Sequence, residues 1–166
     1  MIRRSTPSRG FTLLELVLVM VIVCAALAAA APSLRGFWAG RRTDDAARQL
    51  LAATAFAHSQ SVADGQVYRL NVDRQSNKYV LTRLEQGMFV ELGTNIGRIH
   101  ELPEDMRISL TRADGTGVDY VDFYPTGRTD PAIIEVIPER SEPIRIVCLS
   151  PTETFHIQDP SEARMR

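Results

Sequence analysis

The sequence predicts an α+β protein in which one long N-terminal helix packs on an antiparallel β-sandwich of about seven or eight short strands. Three observations predict it. Residues 11–31 form an apolar block with one charge and neither glycine nor proline. Residues 33–63 continue with apolar side chains recurring at i, i+3 and i+4, the helical period. After Asp64-Gly65 the period drops to two, and turn-forming pairs cut the chain into short segments.

Bulk properties exclude several classes. With 166 residues there is room for one domain and an appendage. Nineteen Lys+Arg against 20 Asp+Glu give a formal net charge of −1, which excludes a generally basic nucleic-acid-binding protein. A hydrophobic share of 45% with 23% charged residues excludes wholesale disorder, and two cysteines exclude a disulfide scaffold.

The helix begins in the apolar block. Residues 1–10 carry Arg3, Arg4 and Arg9 and no acid, and Pro32 closes the block. As a helix, 11–31 is about 32 Å long at ~1.5 Å per residue, which matches a hydrocarbon core of about 30 Å. Its Leu, Ile, Val and Phe residues contribute roughly −0.3 to −0.6 kcal/mol each on insertion, enough to offset roughly +3 for Glu15. The three leading arginines favour a cytoplasmic N-terminus, with 33–166 on the far side. Composition alone leaves open a cleaved secretory signal ending near Ala28–Ala31 and a simple signal anchor. Neither accounts for Glu15, because an ionisable residue inside a span calls for a charged mate.

Beyond Pro32, Ala, Leu, Arg and Gln sustain the helix. Leu34, Phe37, Trp38, Ala46, Ala47, Leu50, Leu51, Thr54, Ala57 and Val62 approximate its buried stripe. One helix is expected from 11 to 63, bent or loosened near Pro32, Gly36 and Gly40. Phe37 and Trp38 suit either an interfacial belt or the domain core. The strands expected by alternation are 67–73, 78–85, 88–93, 107–112, 118–124, 132–137, 144–149 and 154–158. Residues 94–105 read as a loop, and 159–166 as a mobile tail.

Gly10-Phe11-Thr12-Leu13-Leu14-Glu15, behind a basic leader and ahead of an unbroken apolar run closed by Pro32, resembles the processing signature of type IV pilins and type II secretion pseudopilins. Phe123-Tyr124-Pro125-Thr126-Gly127-Arg128 resembles a late strand-turn motif of the H-type minor pseudopilins and the related pilin-like FimT group. The resemblance implies a pilin-like fold divided into a cleaved leader (1–10), a transmembrane and filament-core helix (11–32), its amphipathic continuation (33–63), an extracytoplasmic β domain (64–158) and a tail (159–166). It implies cleavage between Gly10 and Phe11 by a prepilin peptidase, N-methylation of Phe11, register set by Glu15 and a helix kink at Pro32. Loss of the leader removes three arginines, so the mature chain has 16 basic residues (19−3) against 20 acidic ones, a formal −4. A Phe11 amine at the helix end is then available to pair with Glu15 of a neighbouring subunit.

The implied role is that of a minor pseudopilin of a type II secretion system: a substrate of processing enzymes rather than an enzyme. It would sit in the bacterial inner membrane before assembly and in the periplasmic pseudopilus afterwards. Its partners would be the peptidase and methylase, the major and other minor pseudopilins, the secretion platform and secreted cargo. A minor type IV pilin in pilus assembly or DNA uptake and an anchored or secreted binding domain are the alternatives.

Nothing in the residues points to catalysis or a cofactor. His58, His100 and His156 lack metal-ligand spacing, and Ser59 and Ser61 beside His58 make no nucleophile arrangement. Cys24 and Cys148 read as small buried hydrophobes, Asp44-Asp45 as a solvated helix face, and Asp114-Gly115-Thr116-Gly117 as a tight turn. For nucleic acid, Arg128, Arg140, Arg145, Arg164 and Arg166 are available, but Glu135, Glu139, Glu142, Glu153, Asp159 and Glu162 interleave with them. Nucleic acid is therefore not an expected partner.

Overall fold

The structure is a computed structural model that describes residues 12–94, 96–139 and 141–159, without the side chains of 29–40. It divides into two compact units, 1–38 and 39–166. Helix α1, Leu13–Asp64, contributes to both. The expected bend at Pro32 and the roles of Leu34, Gly36, Phe37, Trp38 and Gly40 fall on residues whose side chains lie outside that description.

In the second unit α1 buries Thr43, Ala47, Leu50, Ala53, Thr54, Ala57 and Ser61. Positions 43, 47, 50, 54, 57 and 61 alternate steps of four and three, which keeps one narrow seam against the sheets. Most seam residues are small, and each is buried against the domain. Thr54 donates its hydroxyl to the Leu51 carbonyl (2.8 Å), which satisfies a buried polar group inside the helix. Val62, expected in the stripe, is 51% exposed. Ser61 takes the seam instead, because its hydroxyl has partners across the interface, described below. The helix ends where Gly65 takes a φ of 65°, the left-handed cap that an L side chain adopts only with strain.

Nine strands follow among the described residues: β1 (Tyr68–Asp73), β2 (Lys78–Glu85), β3 (Met88–Glu91), β4 (His100–Glu101), β5 (Met106–Arg112), β6 (Tyr120–Phe123), β7 (Ala132–Pro138), β8 (Ile144–Cys148) and β9 (His156–Ile157). They form two antiparallel sheets. The first runs β3-β2-β1-β6 with β4 also paired to β2, and the second runs β5-β7-β8-β9. Alternation puts Tyr68, Leu70 and Val72 of β1 inward, opposite Leu81 and Tyr79 of β2 and Val121 and Phe123 of β6. Met106, Ile108 and Leu110 of β5, Ile134 and Val136 of β7, and Ile146 of β8 line the second sheet. These residues and the α1 seam make one continuous core.

The extra strand, β4, lies in the segment expected as a loop. Two residues show no period, so alternation cannot reveal such a strand. Tertiary contacts hold it: the His100 ring stacks on Tyr79 at 5.1 Å, Gln49 Nε2 bonds His100 Nδ1 at 3.1 Å, and the Leu102 amide donates to the Asn77 carbonyl at 2.9 Å.

Tyr79 occupies the core with its hydroxyl buried and unpartnered among the described residues. Burial pushes its phenol up to about 12 from 10.0. Because the folded value is the higher one, the stability linked to the neutral phenol is complete below pH 10 and is lost as pH rises through about 12. Tyr79→Phe removes the orphaned hydroxyl and keeps the ring. It should raise stability by about 1 kcal/mol and weaken the alkaline transition, read by circular dichroism across that pH range. A less stable Phe variant would mean that the hydroxyl has a partner.

Candidate processing and assembly site

The candidate residues fall in two places. At the start of α1, Gly10 and Phe11 lie outside the described residues. Thr12 is the N-cap. Its carbonyl accepts from the Glu15 and Leu16 amides (3.1 and 3.2 Å), and its Oγ1 accepts from the Glu15 amide (3.3 Å). Glu15 stands in the first helical turn, where the aligned peptide dipoles favour a negative charge. Every residue from 12 to 28 is exposed, including Leu13 at 82% and Leu14 at 79%. A helix that is apolar on all sides is stable only when something else surrounds it. Among the described residues no helix is long and apolar enough to cross a membrane.

The second place is the Phe123–Arg128 motif, which forms a tight hairpin after β6. Pro125 sets φ at the first central position of a turn closed by the Gly127 amide on the Tyr124 carbonyl (2.9 Å). Gly127 then takes a φ of 77°, and the Tyr124 amide donates to the Arg128 carbonyl (2.8 Å). This is the three-residue loop in which a left-handed glycine completes the reversal. An added Cβ on Gly127 would meet only Val62 Cγ2 at 3.9 Å, so backbone conformation rather than space demands glycine.

Helix α1 holds this hairpin by its backbone. His58 Nε2 lies 3.0 Å from the Gly127 carbonyl, and the single Ser61 hydroxyl proton is shared between the His58 carbonyl (2.8 Å) and, in the longer branch, the Tyr124 carbonyl (3.2 Å). A carbonyl only accepts, so Nε2 carries the His58 proton. A cavity of about 450 Å³ beside the hairpin is lined by Tyr124, Pro125, Arg128, Asp130, Pro131 and Pro151, among others. Burial, followed by the charges of Asp130 and Asp122, pushes the Tyr124 phenol above its ordinary value.

Sequence reasoning missed a cluster on the outward face of the first sheet. Arg69 bonds both carboxylate oxygens of Asp122 (2.6 and 2.8 Å), and its guanidinium lies 3.8 Å from the centres of both the Phe89 and Tyr120 rings. The pair is largely covered, with side chains 22% and 11% exposed. Alternation marks Arg69 and Asp122 as outward, and their direct cross-strand register was the available signal.

The remaining singled-out residues stay apart. His58, His100 and His156 make separate contacts, and among the described residues no three metal-ligating side chains cluster. Both cysteines are free. Cys148 is buried as expected, with its thiol pushed up to about 11 by burial and then by Glu153, but Cys24 is exposed on α1. Asp44 and Asp45 are exposed, and the Asp114 side chain closes its turn on the Thr116 amide (2.8 Å). Arg145 is paired with Glu135 (2.7 Å) and Arg128 is exposed, while Arg140, Arg164 and Arg166 lie outside the described residues.

Residues 6–31 match the family model of the prokaryotic N-terminal methylation motif. The chain also superposes on the minor pseudopilin EpsH from the type 2 secretion system of Vibrio cholerae. The TM-score is 0.63 at 11% identity, over 72% of this chain and 96% of that one. The fold is pilin-like. A second crystal structure of EpsH gives 0.64 at 12% identity, covering 72% and 95%. The type IV minor pilin FimU of Pseudomonas aeruginosa gives 0.58 at 12% identity, covering 75% and 94%. No curated protein matches this pilin-like chain in sequence. At such identities the structural likeness speaks for fold alone. The motif at one end and the fold at the other together support the type IV pilin and pseudopilin family.

Proposed function

We propose that the chain is a minor pseudopilin of a type II secretion system, assembled through its N-terminal helix into a periplasmic pseudopilus. The observation that carries this reading is α1 itself. Its residues 13–28 are apolar around the whole circumference except for the acid Glu15, and it opens inside a methylation motif. In this reading a prepilin peptidase cuts between Gly10 and Phe11, and the new Phe11 amine is methylated. Residues 11–32 lie in the inner membrane with the N-terminus cytoplasmic, and the β domain is periplasmic. On assembly the apolar helices leave the lipid for a shared bundle, where Glu15 of one subunit meets the Phe11 amine of the next. The charge pair then offsets the cost of burying both groups and sets the axial register. Pro32 accommodates a bend between the two halves of the helix. The chain's chemistry is that of a substrate and a building block.

FimU, from a pilus rather than a secretion machine, supplies a second reading as a minor type IV pilin. Deleting the gene separates the two. The favoured reading expects exported enzymes to accumulate in the periplasm while surface pili persist. Normal export with lost pili would assign the chain to a pilus.

A further inference from the structure

We infer that His58 and Ser61 are positioning residues that clasp the Phe123–Arg128 hairpin to α1, so that the β domain stays fixed to residues 41–64 of that helix. The inference rests on the reading above for its functional consequence, namely that a helix drawn out of the membrane must bring its domain with it. The clasp itself rests on geometry. His58 and Ser61 lie one turn apart on α1, and each reaches a different carbonyl of the same hairpin. Those carbonyls, of Gly127 and Tyr124, belong to the two residues between which the turn reverses the chain. Ser61 is fully buried, and His58 is half-buried beside it.

The arrangement gives the Phe-x-Pro-x-Gly pattern a physical meaning. Proline and the left-handed glycine shape the loop so that two backbone acceptors face the helix. A backbone acceptor tolerates any side chain at Thr126, which is exposed and takes no part in the clasp. The helix supplies the donors, and both come from side chains because its own amides are spent inside the helix. Above the clasp the seam of Ala47, Leu50, Ala53 and Ala57 presents methyl groups and one leucine, which resist separation but offer little directional resistance to sliding. The two clasp contacts add direction to this nondirectional burial at one end of the seam, alongside the Gln49–His100 bond and the Asp64–Arg83 pair. The clasp also holds one wall of the neighbouring cavity, since Tyr124, Pro125 and Thr126 of the clasped hairpin line it.

The test uses the full chain in detergent micelles, with amide hydrogen exchange read at Tyr124 and Gly127 and the β7 amides as a folding control. His58→Ala should raise exchange in the hairpin roughly fivefold, and the His58→Ala, Ser61→Ala double variant more than roughly tenfold, with β7 unchanged. His58→Gln places an amide nitrogen where Nε2 stood and should restore the wild-type rates. His58→Asn is too short to reach and should behave as Ala. In cells, the Ala and Asn variants should be processed and inserted normally but recovered in assembled filaments at reduced levels, and Gln should be recovered as wild type. Unchanged hairpin exchange in the double variant overturns the inference. So does equal loss in the Gln and Ala variants, or wild-type recovery in filaments despite faster exchange. A wild-type chain that is never cut after Gly10 would instead overturn the assembly reading, while the exchange result would still decide the clasp.

Discussion

Glu15→Ala should insert into the membrane at least as well as wild type and yet be about a hundredfold depleted from assembled filaments. Insertion improves because removing a carboxylate from an apolar span relieves up to roughly 3 kcal/mol. Assembly suffers because the amine it would meet stays charged and loses its mate inside a bundle of apolar helices. A buried pair broken on one side costs roughly 3 kcal/mol, and that corresponds to about two orders of magnitude in occupancy. Fraying of the helix start cannot produce this result. The cap at Thr12 is made by the Glu15 backbone amide, which alanine retains. Quantitative blotting of sheared or crosslinked filaments against total membrane protein measures the ratio. Equal recovery of variant and wild type would remove Glu15 from the register-setting role.

Phe123→Ala should be the most damaging change in the β domain, lowering its unfolding free energy by about 3–5 kcal/mol. The ring is completely buried, faces Tyr68 across the β1–β6 pair and packs on Phe155 at 6.1 Å between centroids. It also anchors the first residue of the hairpin clasped by α1. Domains of this size are stable by about 5–15 kcal/mol, so the loss takes a large share of the total. Phe123→Leu keeps most of the volume and should cost less than half as much. Urea midpoints for the three chains measure the series. A cost for alanine below about 1 kcal/mol would mean that the core refills the site, contrary to its close packing.

Much of this architecture was legible because each element advertises itself locally. Alternating residues from 68 to 73 and from 106 to 112 name their inward face without reference to any partner, and Gly65 and Gly127 mark reversals that need a left-handed backbone. The apolar block and Glu15 stand out because charge inside such a run is costly. The parts that were not legible depend on partners distant in sequence. His58 bonds a carbonyl 69 positions away, and a carbonyl leaves no trace in the residue type that bears it. The two-residue β4 has no period to read. The choice between Ser61 and Val62 for the seam turns on helix phase, and there a satisfied hydroxyl takes the buried position while the larger hydrophobe stays outside. Nothing in the residues singles out Arg69, because its aromatic neighbours Phe89 and Tyr120 come from β3 and β6.

The most direct measurement is the intact mass of the chain extracted from membranes of cells with an active prepilin peptidase. A polypeptide that starts at Phe11 with one methyl group on its amine is the predicted result. Recovery of the chain with residues 1–10 still attached, or beginning near Ser33, would contradict the account.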